Sequence, residues 1–107
     1  MTKNYDFLFL LIVGEYKNSN VQKYFLKHFK NVFHAANIDE TIQVINNNQI
    51  DIILFNDSIS NSFNIIEEIK DSNEKILTFF AAKYLNTEEL LKSIVIKLDG
   101  YLLESNP

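Results

Sequence analysis

The chain has 107 residues, 47% of them hydrophobic and 22% charged, a balance typical of one globular domain and not of a disordered segment. Its formal net charge is −4 and all ten basic residues are lysines, so it lacks the positive charge and the arginine forks that favour nucleic-acid binding. The absence of cysteine excludes disulfide bonds and thiolate metal sites.

Residues 7–13 (FLFLLIV) form the longest apolar run and predict a strand buried on both faces, as strands of parallel sheets are. Seven residues are too few to cross a bilayer as a helix, and no basic segment precedes them as in a signal peptide. We therefore expect a cytoplasmic protein that does not bind a membrane.

A helix is predicted next, with Ser19 or Asn20 as its N-cap. Its apolar residues recur at helical spacing and are Val21, Tyr24, Phe25 and Phe29. Residues 32–35 indicate a short second strand. Asp39 is the expected N-cap of a second helix that runs to Asn47. The apolar side of that helix is Ile42 and Ile45.

The central strand is predicted at residues 51–56, where four consecutive apolar residues are followed abruptly by Asn56 and Asp57. In open α/β sheets, ligands bind beyond the carboxyl ends of the strands. These two polar residues are therefore the first candidates for a functional site.

The second half of the chain continues the alternation of helices and strands. Residues 63–70 predict a helix, residues 75–82 (KILTFFAA) a strand and residues 101–103 a final short strand. Asn86 and Glu89 have the spacing of a capping box, which predicts a helix between the last two strands. The apolar residues of that helix are Leu90, Leu91, Ile94, Val95 and Leu98.

The order of elements predicts a doubly wound α/β fold. Strict alternation indicates a five-stranded parallel sheet with right-handed crossovers and helices on both faces, a three-layer sandwich of the flavodoxin type. Residues 1–107 form one domain, either alone or as the N-terminal part of a longer protein. Because no apolar segment follows the fifth strand in this sequence, we expect the last helix to be absent and an apolar patch of a few hundred Å² to be exposed.

The order and spacing of these segments resemble the receiver domain of bacterial two-component response regulators, whose fold is CheY-like. The segment FLLIVGE resembles the family's first strand and acidic turn, and QIDIILFND resembles its third strand, which ends at the phosphoacceptor aspartate. The segment SFNIIEEIK resembles the third helix, and DGYLLES resembles the fifth strand. The resemblance covers nearly the whole chain and implies a role in signal transduction.

The chemical motifs of the family are degraded in this sequence. The resemblance places the phosphoacceptor at Asn56 and the two acidic metal ligands at Gly14 and Glu15, so only the second ligand keeps a carboxylate. The lysine of the fifth strand falls on Glu104, and the aromatic residue associated with switching is kept as Tyr101. The hydroxyl that ends the fourth strand falls among Phe80, Ala81 and Ala82, and none of these residues has one.

These replacements predict a pseudo-receiver. An amide such as Asn56 does not form a stable acyl phosphate, and a carboxylate at Glu104 repels a phosphoryl group that a lysine would attract. We therefore expect a regulatory module that binds proteins, without catalysis or a cofactor. The resemblance implies a histidine kinase or an output domain as the partner, or a homodimer, with residues 90–98 and 101–104 as the matching surface.

Two other functions remain open from the sequence. A bulge in the third strand would shift its register by one residue, so that Asp57 becomes the phosphoacceptor and Mg²⁺ binds with the help of Glu15. The strand tips could instead form a sensor site for a small molecule. Each residue also has a structural interpretation, because Asn56 can cap backbone groups, Glu15 can be a solvated acid and Tyr101 can pack in the core.

Overall fold

The computed structural model describes residues 5–14, 19–56, 62–73, 75–83 and 87–104. Within these ranges, strands and helices alternate along the chain. The strands are β1 (Tyr5–Val13), β2 (Phe29–Ala35), β3 (Ile52–Asn56), β4 (Leu77–Ala82) and β5 (Gly100–Leu103). The helices are α1 (Asn20–His28), α2 (Ile38–Asn47), α3 (Ser62–Ser72) and α4 (Thr87–Val95).

The strands form one parallel sheet in the order β2-β1-β3-β4-β5. The step from β1 to β2 runs in one direction across the sheet, and the later steps run in the other. Right-handed crossovers therefore place α1 on one face and α2, α3 and α4 on the opposite face. The predicted doubly wound, CheY-like α/β fold is confirmed.

Two apolar layers lie on the two faces of the sheet. Leu11, Val13, Ile53 and Phe55 pack toward α2 and α3, whereas the alternate residues Leu10, Ile12, Ile52 and Leu54 pack toward α1. All eight side chains are buried, from 0% to 9% exposed. Each contributes about 1.5–3 kcal/mol to folding, and this double burial explains why residues 10–13 of β1 and 52–55 of β3 are all apolar.

Several predicted boundaries were wrong; β4, for example, begins at Leu77 and not at residue 75. The N-cap of α2 is Asn37, not Asp39, and Asn37 Oδ1 accepts a hydrogen bond from the Glu40 N–H at 2.9 Å. Phe29 begins β2 instead of ending α1, because its backbone is extended, and its N–H donates to the Phe25 carbonyl that closes the helix. As a result β2 is longer than predicted. The expected cap Asn86 lies outside the described residues.

The apolar residues of α2 and α4 are only partly buried. Ile45 packs against the core, but Ile42 is 42% exposed. On α4, Leu91, Ile94 and Val95 are exposed, and the buried residue is Ser93. None of the helices in the described ranges is long and apolar enough to cross a membrane.

An ion pair joins α3 to the start of β5 at the amino-terminal end of the sheet. Lys70 Nζ lies 2.7 Å from Asp99 Oδ2, which also accepts a hydrogen bond from the Thr78 N–H at 2.7 Å. Burial raises the pKa of Asp99, but the hydrogen bonds from Lys70 and Thr78 and the positive charge of Lys70 together lower it below its usual value.

We expect Asp99→Asn to destabilise the protein by about 1 kcal/mol at neutral pH, a small value because the pair is partly exposed. The folded-state pKa is lowered, so this stabilisation is present above the unfolded value of about 3.9. It is lost as the pH falls through the folded-state pKa. Urea denaturation of the wild type and of Asp99→Asn should show a difference in the free energy of unfolding that becomes smaller in acid. A difference that persists in acid would mean that the carboxylate charge is not its source.

Candidate functional site

The carboxyl ends of the strands bring the candidate residues to one edge of the sheet. In the strand register, Val13 pairs with Phe55, Asn56 with Ala81, and Ala82 with Leu103. Gly14, Asn56 and Glu104 therefore lie at or just beyond the same edge, where a doubly wound sheet binds its ligands.

Asn56 ends β3 and is fully buried. Its Nδ2 donates hydrogen bonds to the carbonyl oxygens of Val13 and Gly14, both at 3.2 Å. Its Oδ1 is also buried, and among the described residues no donor reaches it. The amide thus fastens the end of β3 to the end of β1, and an aspartate in the same position has no hydrogen to donate when ionised.

Gly14 follows β1 in a left-handed backbone conformation, with φ 81°. Its N–H donates to the Ala35 carbonyl at 2.9 Å, and its carbonyl accepts from Asn56. Most residues with a side chain are strained at this φ, whereas glycine is not. The residue that replaces the first acidic ligand of the family is therefore also suited to the backbone at this point.

Glu104 follows β5 and reaches the N-terminus of α1. Its carboxylate accepts hydrogen bonds from the Ser19 hydroxyl and from the Val21 N–H, the latter at 3.0 Å. Ser19 is the N-cap of α1, as predicted, and its Oγ accepts from the Gln22 N–H at 2.9 Å. The positive end of the helix dipole also favours a carboxylate here. The negative charge of Glu104 thus has a structural role that the sequence did not reveal.

The end of β4 is apolar, and the exposed Lys83 follows it directly. Phe80, Ala81 and Ala82 are buried and offer no hydroxyl group to a ligand. Tyr101 is half-buried, and its ring centroid lies 5.5 Å from that of Phe80, which packs in turn against Phe63. Tyr101 therefore takes part in core packing.

The described residues do not by themselves form a magnesium site. They contain no group of three or more histidine, cysteine, aspartate or glutamate side chains that could hold a metal ion. The buried Oδ1 of Asn56, which no described donor reaches, is neutral, whereas Mg²⁺ prefers six oxygen ligands that include one or two carboxylates. Glu15 and Asp57 lie outside the described residues, so their roles stay predictions.

No protein-family model matches the chain, and no curated protein matches it. Several solved structures do match the chain. A two-component response regulator from Clostridium difficile matches with 19% identity over 94% of this chain and 85% of that one, with a TM-score of 0.75. The non-phosphorylated HemR receiver domain from Leptospira biflexa matches with 15% identity over 94% and 84%, also with a TM-score of 0.75.

A CheY-like response regulator receiver domain protein from Methanospirillum hungatei matches with 15% identity over 94% of this chain and 84% of that one, with a TM-score of 0.71. Similarity at this level of identity shows that the chain shares the CheY-like fold of these receiver domains.

Proposed function

We propose that this chain is a receiver-like signalling module that does not accept a phosphoryl group and acts by binding other proteins. The observation that supports this most strongly is the state of Asn56. It lies at the end of the central strand, the position of the family's phosphoacceptor, and its amide is bonded to two backbone carbonyls. An amide that holds the sheet together in this way is neither a nucleophile nor exposed to a phosphate donor.

The position of Glu104 supports the same proposal. Phosphoryl transfer is helped by a cation that stabilises the charge of the transferred group. Here the corresponding side chain is an anion, and it is already bonded at the N-terminus of α1. Among the described residues the edge thus offers no acceptor carboxylate on β3, and the side chain at the position of the family's lysine is an anion, which supports a role without phosphorylation.

The family relationship suggests the pathway. Solved neighbours with this fold include two-component response regulators and a receiver domain in its non-phosphorylated form. We propose that this chain also acts in bacterial two-component signalling in the cytoplasm, where a histidine kinase or an output domain is its partner. It would contribute a binding surface without catalysis and without a cofactor.

Incubation with acetyl phosphate and Mg²⁺ tests the proposal. We expect no mass gain of the about 80 Da that one phosphoryl group adds. A receiver domain with an intact acceptor aspartate, treated in parallel, shows that the reagent is active. A mass gain that hydroxylamine removes would contradict the proposal. Loss of that gain in Asp57→Ala would identify Asp57 as the acceptor, and its loss in Glu15→Ala or without Mg²⁺ would identify Glu15 and the metal as required.

A further inference from the structure

One face of the sheet is covered by a single described helix. At about 4.8 Å per strand, five strands are about 24 Å wide, whereas one helix covers about 10 Å. Beside α1 runs a groove, here called the α1 groove. It consists of two adjoining cavities of about 370 and 360 Å³ that share Tyr24, Phe25 and Phe79. Leu8 and Leu77 line one end of the groove, and Leu102, Leu103 and Glu104 line the other.

The α1 groove exposes large apolar side chains to solvent. Tyr24 is 64% exposed, Leu77 46% and Leu103 36%. Phe79 forms the floor, and its ring lies directly over Gly100, where an added Cβ would come within 2.7 Å of Phe79 Cε1. An exposed apolar surface of this kind indicates a binding surface.

A second apolar surface lies on α4, on the opposite side of the sheet. Leu91, Ile94 and Val95 are 60%, 68% and 76% exposed. Their spacing places them on one face of the helix, here called the α4 stripe. Ser93 faces the interior instead. Both α1 and α4 have nine residues, so each is about 13.5 Å long, and the helix α4 matches the length of the helix that borders the groove.

The charges beside the two surfaces are complementary. The α1 groove is basic near the C-terminus of α1, at Lys27, and acidic at the opposite end, at Glu104. The α4 stripe is flanked first by Glu88 and then by Lys92. If α4 lies antiparallel to α1, Glu88 approaches Lys27 and Lys92 approaches Glu104. Glu88 and Lys92 form an ion pair with each other at 3.5 Å, which is highly exposed and therefore weak. Replacing this pair by contacts with a second molecule therefore costs little.

We propose that the chain associates with a second copy of itself head to tail, with α4 of one molecule docked in the α1 groove of the next. This one contact covers both apolar surfaces. A symmetric contact through the groove alone would leave the α4 stripe in water and would bring the exposed lysines of α1, Lys23 and Lys27, of two copies together. This inference goes beyond the proposed function, because it holds whether or not the chain accepts a phosphoryl group.

A head-to-tail contact joins different surfaces, so it continues into chains or closes into rings. Sedimentation should therefore show a mass that rises with protein concentration. Ile94→Asp places a charge in the α4 stripe, and Tyr24→Asp places one in the α1 groove. Both side chains are exposed, so the fold should tolerate these changes. We expect each variant to associate at least about tenfold more weakly than the wild type, which corresponds to about 1.4 kcal/mol.

Mixing the two variants gives the decisive result. Ile94→Asp keeps an intact groove and Tyr24→Asp keeps an intact α4 stripe, so an equimolar mixture should form a discrete dimer that neither variant forms alone. Phe7→Asp, at a side chain that is 74% exposed and outside both surfaces, should associate like the wild type. A wild type that stays monomeric at millimolar concentration would overturn the proposal. So would association that survives either substitution, or a mixture that forms no dimer.

Discussion

Asn56→Asp is expected to destabilise the protein by about 3 kcal/mol at neutral pH, because it leaves a charge buried without a partner. The wild-type amide donates to the carbonyls of Val13 and Gly14 at 3.2 Å. An ionised carboxylate in the same place faces both oxygens with no hydrogen to share. The substitution that restores the acid of an intact receiver should therefore weaken this fold, and we expect it not to create a phosphoacceptor.

The pH dependence of this loss has a definite sign. Burial raises the pKa of the new carboxyl group above the unfolded value of about 3.9. Below the unfolded value the carboxyl group is protonated in both the folded and the unfolded protein, so the loss of stability is small. The loss grows as the pH rises from the unfolded value toward the folded-state pKa. Urea denaturation across this range measures the change. Asn64→Asp, at an exposed position on α3, is the matched control and should change stability by less than about 0.5 kcal/mol.

A variant Asn56→Asp that is as stable as the wild type would show that the buried amide contributes little. If it also gained a phosphoryl group from acetyl phosphate in the presence of Mg²⁺, the edge would have kept the other parts of a receiver site. That result would require carboxylates outside the described residues to face residue 56.

Glu104→Lys is expected to destabilise the protein by about 2–3 kcal/mol, because it removes two charge-assisted hydrogen bonds and places a cation at a helix N-terminus. The bonds lost are those from the Ser19 hydroxyl and the Val21 N–H. Glu104→Gln keeps an acceptor oxygen and should cost about 1 kcal/mol. Chemical denaturation of the three proteins should give free energies of unfolding that decrease in the order wild type, Glu104→Gln, Glu104→Lys.

Amide hydrogen exchange provides a second measurement for this prediction. If Glu104 stabilises α1, Glu104→Lys should increase the exchange rates of the amides in the first turn of α1 relative to the wild type, and should leave those of α3 unchanged. Glu68→Lys introduces the same charge change at an exposed site and should leave exchange in α1 unchanged. Equal stability of Glu104→Lys and the wild type would contradict a structural role for this carboxylate.

The elements that the sequence predicted well are those whose burial leaves no choice of residue. Residues 10–13 of β1 and 52–55 of β3 are covered on both faces, so these positions are all apolar and the two runs are easily recognised. Phe29 was misplaced because it follows Phe25 by four residues, a helical spacing. The two rings do stack, 5.9 Å apart, although Phe29 already belongs to β2. Periodicity cannot distinguish the last turn of a helix from a strand residue that contacts the same neighbour.

The cap of α2 could have been found from the sequence. Asn37 and Asp39 are both good caps, but only Asn37 has a glutamate three residues later, and Glu40 does bond back to the Ala36 N–H at 3.1 Å. For the candidate site, spacing placed Asn56 correctly at the end of β3. The partners of its amide are backbone carbonyls, which leave no trace in a sequence.

Other features of the site depend on contacts between distant parts of the chain. The bond between Ser19 and Glu104 joins residues 85 positions apart, and no local pattern predicts it. Tyr24 has the spacing of a buried helix residue, yet it is 64% exposed, because α1 has no described helix beside it. Residue patterns show which side of a helix is apolar, but not whether a neighbour covers it.

The bond between Glu104 and α1 also bears on the order of folding. A contact that closes a loop of this length has a large entropic cost before it yields any stabilisation, so it should form late. Until β5 is secured against the sheet, β4 is a temporary edge strand with unpaired backbone groups, which β5 covers in the finished fold. A nascent or partly folded chain therefore passes through a state prone to aggregation, and its duration depends on how fast the last strand is secured.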